Sequence, residues 1–266
     1  MGRKKKKRKI SKKLLQLQCR ECKHKWKSRK RDITCPNCGA EEYWKNKKKD
    51  AQPIPEEKYE IFKERLVELS GEKEADRNLT LFLLGVATGY RLGDLVPLTI
   101  ANILDAIEEG EFCIQESKQY KSWENREKKK AIKRLEGKEV KSEKRPDPRI
   151  VEIGPNLEKI LRRYCRNRRR SEYAFISSKY APEHIEAKSF SKILRKVSED
   201  PQLNLKNISG HSLRKTYATR LYEDNGGDVE FVRRALGHRS ITTTQLYLGL
   251  DKVAKKKATS IADKKL

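Results

Sequence analysis

The segment spanning residues 209–250 constrains the fold of this chain most strongly, because its apolar period and its breaks define three consecutive helical pieces. Apolar residues at four-residue steps predict a first amphipathic helix with one buried face. These residues are Leu213, Tyr217 and Leu221. The Gly226-Gly227 pair ends that helix. Asp228 is a favourable N-cap for a second helix, which Gly237 caps at its C-terminus.

Four residues with reactive or ion-binding side chains lie at fixed positions along these three helical pieces: His211, Arg214, His238 and Tyr247. His211 and Arg214 are three residues apart and therefore share a helix face. Arginine matches phosphate oxygens with a planar fork of donors, and histidine moves protons near neutral pH. Tyrosine is a nucleophile only where cations and a base favour its phenolate, because its pKa is about 10. The set predicts phosphodiester chemistry, and purely structural roles for the same side chains are the alternative.

The order and spacing of these residues resemble the signature of the tyrosine recombinases, which include phage integrases and Xer-type site-specific recombinases. The matching strings are His211-x-x-Arg214, Leu236-Gly237-His238 and Thr243-Thr244-Gln245-x-Tyr247. Thr-His commonly follows the tyrosine in the family, whereas Leu248-Gly249 follows here. The resemblance covers residues 76–250 and implies an α+β fold, with a mainly helical catalytic domain and a small antiparallel β-sheet.

Two earlier segments resemble the remaining catalytic positions of that family. Arg91 follows the apolar stretch 79–88 directly, at the start of a short helix, where an arginine is well placed to bind an anion. Asp94 matches the acidic residue of the family motif, for which the resemblance implies that it orients the arginine. Lys118 matches the lysine that protonates the leaving 5′-oxygen, and Lys121 is the alternative for that role.

A long insert separates the two predicted strands of the small sheet. Alternating residues predict strands over 111–118 and 149–153, and about thirty residues join them, far more than a hairpin needs. Residues 119–148 carry 11 Lys+Arg against 6 Asp+Glu, and 123–135 have helical character. This composition is compatible with a loop that contacts DNA and equally with a solvent-exposed loop that has no binding partner. Cys113 in the first strand is predicted to be a buried apolar residue.

Other helices are predicted from apolar periodicity on either side of the motifs. One begins near Glu56 and directs Ile61, Leu66 and Leu69 inward, and residues 71–77 are predicted to form a turn. Further helices are predicted over 156–169, where Cys165 is expected to be buried, and over 190–197.

Four cysteines near the N-terminus have the spacing of a metal site. Cys19-x-x-Cys22 and Cys35-x-x-Cys38 are separated by twelve residues, which predicts a four-cysteine zinc ribbon over 16–46 with one structural zinc ion. His24 is a competing ligand, but four thiolates already complete a tetrahedral site. A bound zinc ion stabilises a module that is too small to have a core of its own. The ribbon surface is compatible with binding either DNA or protein.

The charge balance predicts a polyanionic partner, double-stranded DNA. The chain contains 64 Lys+Arg and 38 Asp+Glu, a net charge of +26, and residues 1–50 carry 20 Lys+Arg against 5 Asp+Glu.

We expect basic tails over 1–15 and 251–266, and a linker with a leading helix over 47–75. The longest apolar run is far shorter than the ~20 residues of a membrane span. The basic N-terminal stretch has no apolar segment behind it, so we do not expect it to act as a secretory signal. A cytoplasmic, DNA-associated protein is therefore expected.

The resemblance implies site-specific recombination, in which Tyr247 attacks a DNA phosphodiester and forms a 3′-phosphotyrosyl link. The residues implied to stabilise the transition state and to move protons are Arg91, Lys118, His211, Arg214 and His238. No ATP or divalent ion is expected for catalysis, and a homotetramer is expected on DNA. A type IB topoisomerase-like enzyme and a non-catalytic DNA-binding regulator are the alternatives. The span between Asp50 and Arg91 is too short for the family's usual core-binding domain.

Overall fold

A computed structural model describes residues 15–28, 34–40, 43–45, 50–250, 259–260 and 263. The chain divides into two compact units, Met1–Asp50 and Ala51–Leu266. The predicted basic tail over 1–15 lies outside the described residues except for Leu15, and most of the predicted tail over 251–266 does as well.

Three short strands form the described part of the first unit. They are β1 (Leu15–Cys19), β2 (Lys25–Ser28) and β3 (Tyr43–Lys45). The strand order is β2-β1-β3, and both pairs are antiparallel. Leu17 of the central strand is fully buried.

The second unit is mainly helical, and its described residues contain one two-stranded sheet. Its first elements are α1 (Glu56–Glu68), α2 (Glu72–Thr88), α3 (Leu92–Leu95), α4 (Ile100–Glu109) and β4 (Glu111–Ile114). The next are α5 (Ser117–Leu135), β5 (Arg149–Glu152), α6 (Pro155–Cys165) and α7 (Ala187–Ser198). The last are α8 (Gly210–Asp224), α9 (Val229–Ala235) and α10 (Ile241–Leu248). The expected mainly helical architecture with small antiparallel sheets is confirmed.

Helix α2 is the central element of the core, because its apolar C-terminal half is buried on most sides. It packs against α1, α6 and α8. The rings of Phe82 in α2 and Phe62 in α1 stack with centroids 5.4 Å apart, and neither side chain is exposed. α2 ends at Gly89, so that Arg91 emerges directly from the core.

The strands β4 and β5 pair antiparallel, with Phe112 opposite Val151. The hydroxyl of Tyr90 lies 2.9 Å from the carbonyl oxygen of Phe112 and 2.5 Å from that of Arg149. These contacts attach the sheet to the segment that follows α2, because Tyr90 is the second residue after that helix. The sheet therefore has a defined position beside Arg91.

Several sequence predictions were wrong in detail. Residues 72–77, predicted as a turn, form the first turns of α2, and Leu69 is 37% exposed because the buried face of α1 instead contains Tyr59, Phe62 and Leu66. The strand predicted over 111–118 ends at Ile114. Cys113 is exposed, because side chains alternate along β4 and Phe112 faces the core.

Two features require glycine at position 89, the end of α2: its backbone conformation and the close approach of the Tyr217 ring. Its φ of +61° is unfavourable for L side chains, and a Cβ there would collide with the ring of Tyr217. Gly110 has a similar φ of +78° but open space around it. We expect Gly110→Ala to lower the free energy of unfolding by about 1–2 kcal/mol through backbone strain alone. Gly89→Ala should lower it further, as measured by urea denaturation, and equal losses would contradict the collision.

Candidate active site

A buried carboxylate, Glu116, lies at the centre of three arginines. Its Oε2 lies 2.8 Å from Nη1 of Arg91, and its Oε1 lies 2.5 Å from Nη1 of Arg214 and 3.9 Å from Nε of Arg149. The Glu116 side chain is only 2% exposed. Burial raises the pKa of this carboxyl, but the charges of the three arginines together outweigh burial, so that its pKa is lowered. Glu116 is therefore an ionised bridge between guanidinium groups.

Arg214 is fixed in the core by helix ends as well as by Glu116. Its Nη1 donates to the carbonyl oxygen of Gly89 at 2.9 Å, and its Nη2 donates to that of Leu236 at 2.7 Å. Both carbonyls belong to the C-terminal ends of helices, where backbone oxygens lack helical partners and favour cations. The side chain is 2% exposed. The position of this guanidinium is thus set by α2, α8 and α9 together.

Arg149 is a further buried arginine, and the sequence prediction omitted it. Its Nη1 donates to the carbonyl oxygen of Ala235 at 2.6 Å, and its Nη2 donates to that of Thr88 at 2.6 Å. Its guanidinium lies 4.0 Å from the centre of the Tyr90 ring. Arg149 therefore connects β5 to the ends of α2 and α9.

Asp94 does not form the predicted contact with Arg91. Its Oδ1 instead accepts a hydrogen bond at 3.0 Å from the backbone N–H of Ser117, the first residue of α5. A carboxylate at a helix N-terminus is stabilised by the unpaired N–H groups there. Glu116 forms the ion pair with Arg91, so the orienting carboxylate comes from the β4–α5 connection.

His238 and Tyr247 lie against each other after α9. Their rings are edge to face, with centroids 5.6 Å apart and an interplanar angle of 82°. Nδ1 of His238 lies 3.0 Å from Oγ1 of Thr244, a buried residue of α10. Burial, followed by the charges of Arg214 and Arg91, lowers the pKa of His238 to about 4. The imidazole is therefore neutral at neutral pH.

The side chain of Tyr247 is half-buried, and its hydroxyl oxygen is shielded from solvent. Its hydroxyl has no hydrogen-bond partner within the described part of the chain. Burial raises the pKa of Tyr247 to about 12, although the charges of Arg214 and Arg91 act to lower it. Nζ of Lys215 lies 5.3 Å from the centre of the ring. A neutral phenol thus lies within the electrostatic field of both guanidinium groups.

Two adjoining pockets bring the other predicted residues to this place. A pocket of about 840 Å³ and a smaller one of about 220 Å³ share Arg91, Lys118 and Ser122 in their linings. His211 lines the larger pocket and His238 the smaller one. The six residues proposed from the sequence therefore surround one region of the second unit, with Arg91 and Lys118 between the two histidines.

His211 and Lys118 are the exposed members of this set. Partial burial of the His211 ring, followed by the charges of Lys118 and Arg91, lowers its pKa. An imidazole with a lowered pKa is neutral at neutral pH and can accept a proton. Lys118 lies in the first turn of α5, and this helix start replaces the end of the strand predicted over 111–118.

The four cysteines of the first unit lie in one cluster. Their Sγ atoms are all within 4.8 Å of one another, and the Cys19–Cys38 and Cys22–Cys35 pairs are 3.5 and 3.6 Å apart. Ligands 2.3 Å from a tetrahedral zinc ion would be separated by about 3.8 Å. The cluster therefore has the dimensions of a four-thiolate zinc site.

No helix among the described residues is long and apolar enough to span a membrane.

Relatives of this chain are recombinases. A protein named tyrosine recombinase XerD from Listeria monocytogenes is 30% identical over 113 residues, which are 40% of this chain and 37% of that protein. The XerD of Halalkalibacterium halodurans is 26% identical over 183 residues, which are 66% of this chain and 50% of that protein. The chain thus spans half or less of the length of these relatives.

Solved structures share the fold at low sequence identity. The crystal structure of XerA recombinase has a TM-score of 0.50 and 20% identity, with 80% of this chain and 66% of that chain covered. The XerH site-specific recombinase bound to its difH substrate has a TM-score of 0.52 and 20% identity, with 83% and 58% covered. The model of the phage integrase family matches residues 64–253, which is most of the sequence. The chain therefore belongs to the phage integrase family.

Proposed function

We propose that this protein is a site-specific DNA recombinase that cleaves and rejoins DNA through a 3′-phosphotyrosyl intermediate. The observation that carries the proposal is the burial of the Tyr247 phenol beside His238 and within the field of Arg91 and Arg214, all in one subunit. Membership of the phage integrase family supports the same activity. A nucleophile, cations for phosphate and proton carriers are thereby present in one site.

In the proposed reaction the Tyr247 oxygen attacks the scissile phosphorus and the bond to the 5′-oxygen breaks. Arg91 and Arg214 stabilise the charge that develops on the non-bridging oxygens, because their guanidinium groups are already fixed before DNA binds. We assign Nδ1 of neutral His238 as the acceptor of a hydrogen bond from the Thr244 hydroxyl, so that Nε2 carries the proton and donates to a phosphoryl oxygen. Glu116 has a positioning role, since it holds both arginines without contact to the phosphate.

Proton transfer is assigned to the two exposed residues of the site. A phenol with a pKa of about 12 has to lose its proton during attack, and His211 is neutral at neutral pH and lies on the rim of the larger pocket. Lys118 donates a proton to the leaving 5′-oxygen. Because the phosphotyrosyl link conserves the energy of the broken bond, rejoining needs neither ATP nor a divalent ion.

Covalent trapping tests this proposal. A library of random-sequence duplexes, each with a nick that lets a short 5′-hydroxyl fragment diffuse away after cleavage, is incubated with the protein without metal or nucleotide. We expect denaturation-resistant protein–DNA adducts in which the DNA is joined through its 3′-phosphate, and sequencing of the adducts identifies the site. Recovery of DNA that is bound but never covalently attached would overturn the proposal and leave a DNA-binding regulator.

Strand exchange between two duplexes needs cleavage of four strands, so we extend the proposal to a homotetramer on two DNA sites. A type IB topoisomerase would instead relax supercoils as a monomer. Incubation of the protein with a supercoiled plasmid that carries two copies of the trapped site separates the two activities. Recombinant products support a synaptic tetramer, whereas relaxation alone supports the topoisomerase. We also propose that residues 76–250 form the catalytic domain, as expected from the sequence.

We also propose that the first unit is a zinc ribbon with one zinc ion bound by its four cysteines. The spacing of the Sγ atoms fits such a site, and β1 and β2 present the first cysteine pair. We expect one equivalent of zinc per chain in protein purified without chelators. Cys22→Ser should reduce that zinc content, whereas Cys113→Ser should leave it unchanged, because Cys113 is exposed and belongs to the other unit. An unchanged zinc content in Cys22→Ser would contradict the assignment.

A further inference from the structure

Helix α5 has no buried residue along its 19 residues, which is unusual for a helix attached to a core. It forms most of the basic insert between β4 and β5. A helix that is polar on all sides is stabilised by ion pairs or spans between partners. Its two faces therefore need separate explanations.

One face of α5 is covered by the returning chain of residues 136–148. Glu143 is the main contact, because its carboxylate pairs with Arg126 at 2.8 Å and with Lys130 at 3.0 Å. Its carbonyl oxygen accepts from Nε1 of Trp123 at 2.9 Å, and its N–H donates to Glu127 at 2.7 Å. These bonds stabilise the insert as a helix with a strap, where the strap is residues 136–148.

The opposite face of α5 begins inside the candidate active site. Residues at helical spacing on this face line the larger pocket together with Arg91 and His211. They are Lys118, Lys121, Ser122 and Asn125. Lys129 continues the same face one turn further, since it is four residues after Asn125.

Two lysines of this face are exposed and without an acidic partner. Lys121 and Lys129 form no ion pair or hydrogen bond within residues 50–250, whereas Lys128 beside them pairs with Glu124 at 2.9 Å. From Lys118 to Lys129 the helix rises about 16 Å, at about 1.5 Å per residue. That length corresponds to roughly five phosphates along one strand of a duplex, at about 3.4 Å of axial rise each.

We infer that the exposed face of α5, carried by Lys121, Asn125 and Lys129, binds the DNA backbone beside the cleavage site. The inference rests on the proposed function, because the face is continuous with the pocket proposed to hold the scissile phosphate. Lysine and asparagine side chains there can contact phosphates without reading bases. The insert thus adds a second DNA contact to the one made by the active-site pocket, on the same duplex.

The test is the salt dependence of binding to random-sequence duplex DNA, measured by fluorescence anisotropy with the full chain. Each lost phosphate contact lowers the slope of log K against log salt by about 0.9. We therefore expect Lys121→Gln/Lys129→Gln to lower the magnitude of the slope by about 2. Lys121→Arg/Lys129→Arg should retain the slope, because arginine also contacts phosphate.

A charge-matched control distinguishes contact from a general loss of positive charge. Lys138→Gln/Lys141→Gln removes two exposed lysines from the strap, which lies on the covered side of α5. We expect this pair to leave the slope unchanged. Equal reductions by both double variants, or no change in either, would overturn the inference and leave this face to an acidic protein or to solvent.

The outcome is separable from that of covalent trapping. If wild-type protein forms adducts but the slope of Lys121→Gln/Lys129→Gln is unchanged, the DNA-binding face is wrong and the recombinase stands. If the slope falls as expected but no adduct forms, the face binds DNA and the proposed chemistry is wrong. Circular dichroism of each variant verifies that α5 and the core remain folded.

Discussion

Tyr247→Phe is expected to abolish covalent attachment to DNA and to leave DNA affinity unchanged. Tyr247 is the nucleophile of the proposed reaction, and the charges of Arg91 and Arg214 both act on its phenol. Phenylalanine keeps the ring that packs edge to face on His238. The measurement is the yield of denaturation-resistant adduct on the nicked duplex, beside equilibrium binding to the same DNA.

Loss of adduct in this variant should not reflect unfolding. The Tyr247 hydroxyl is buried and has no hydrogen-bond partner within residues 50–250, so its removal relieves an unsatisfied polar group. We expect the free energy of unfolding to stay the same or to rise by about 1 kcal/mol. Tyr217→Phe is the matched control, since Tyr217 packs in the same cluster and should form adduct normally. Persistent adduct in Tyr247→Phe would identify a different nucleophile.

The helices that carry the motif residues could be predicted because capping and periodicity are local properties of the sequence. Spacing on α8 predicted that His211 and Arg214 share a face apart from the apolar stripe, whereas Arg214 is buried and His211 is exposed. The breaks at Gly237 and Ser240 predicted the short helices that carry His238 and Tyr247 at or near their ends. Asp228 accepts from the N–H groups of Glu230 and Phe231, as expected for an N-cap. Local rules of capping and periodicity were sufficient for these elements.

Glu116 and Arg149 could not be predicted, because their contacts join segments distant in sequence. Arg149 reaches the carbonyl oxygens of Thr88 and Ala235, and Glu116 reaches Arg91 and Arg214. Periodicity gives a residue a face but does not identify its partner. The resemblance to the family motif instead assigned the carboxylate that orients Arg91 to Asp94.

The insert was predicted only in part for a related reason. Its composition indicated a helix but not the strap, because the folding back of residues 136–148 depends on Glu143, which composition does not distinguish from the other acidic residues of the strap. Once that pairing exists, one face of α5 is covered and the other is left to bind a partner. The asymmetry of the helix is therefore a tertiary property.

Glu116→Gln is expected to cause the largest loss of stability of any single charge substitution considered for this site. Three guanidinium groups would then face one another without the carboxylate, and breaking a buried ion pair costs about 3–5 kcal/mol. Glu158→Gln is the control, because Glu158 pairs with Arg162 at 2.7 Å on an exposed surface. That change should cost at most about 1 kcal/mol in urea denaturation.

The pH dependence of this loss follows from the direction of the pKa shift. The pKa of Glu116 is lowered below its ordinary value of 4.5 in the folded protein, so the folded state binds its proton less tightly than the unfolded state does. The carboxylate therefore contributes its full stability above pH 4.5, and this contribution is lost as the pH falls through the folded pKa. Glutamine does not titrate, so the difference between wild type and Glu116→Gln should be constant near neutral pH and should shrink below pH 4.5. A difference that grows on acidification would mean that Glu116 is protonated in the native protein. Arg214 would then be held by the carbonyl oxygens of Gly89 and Leu236, and Arg149 by those of Thr88 and Ala235.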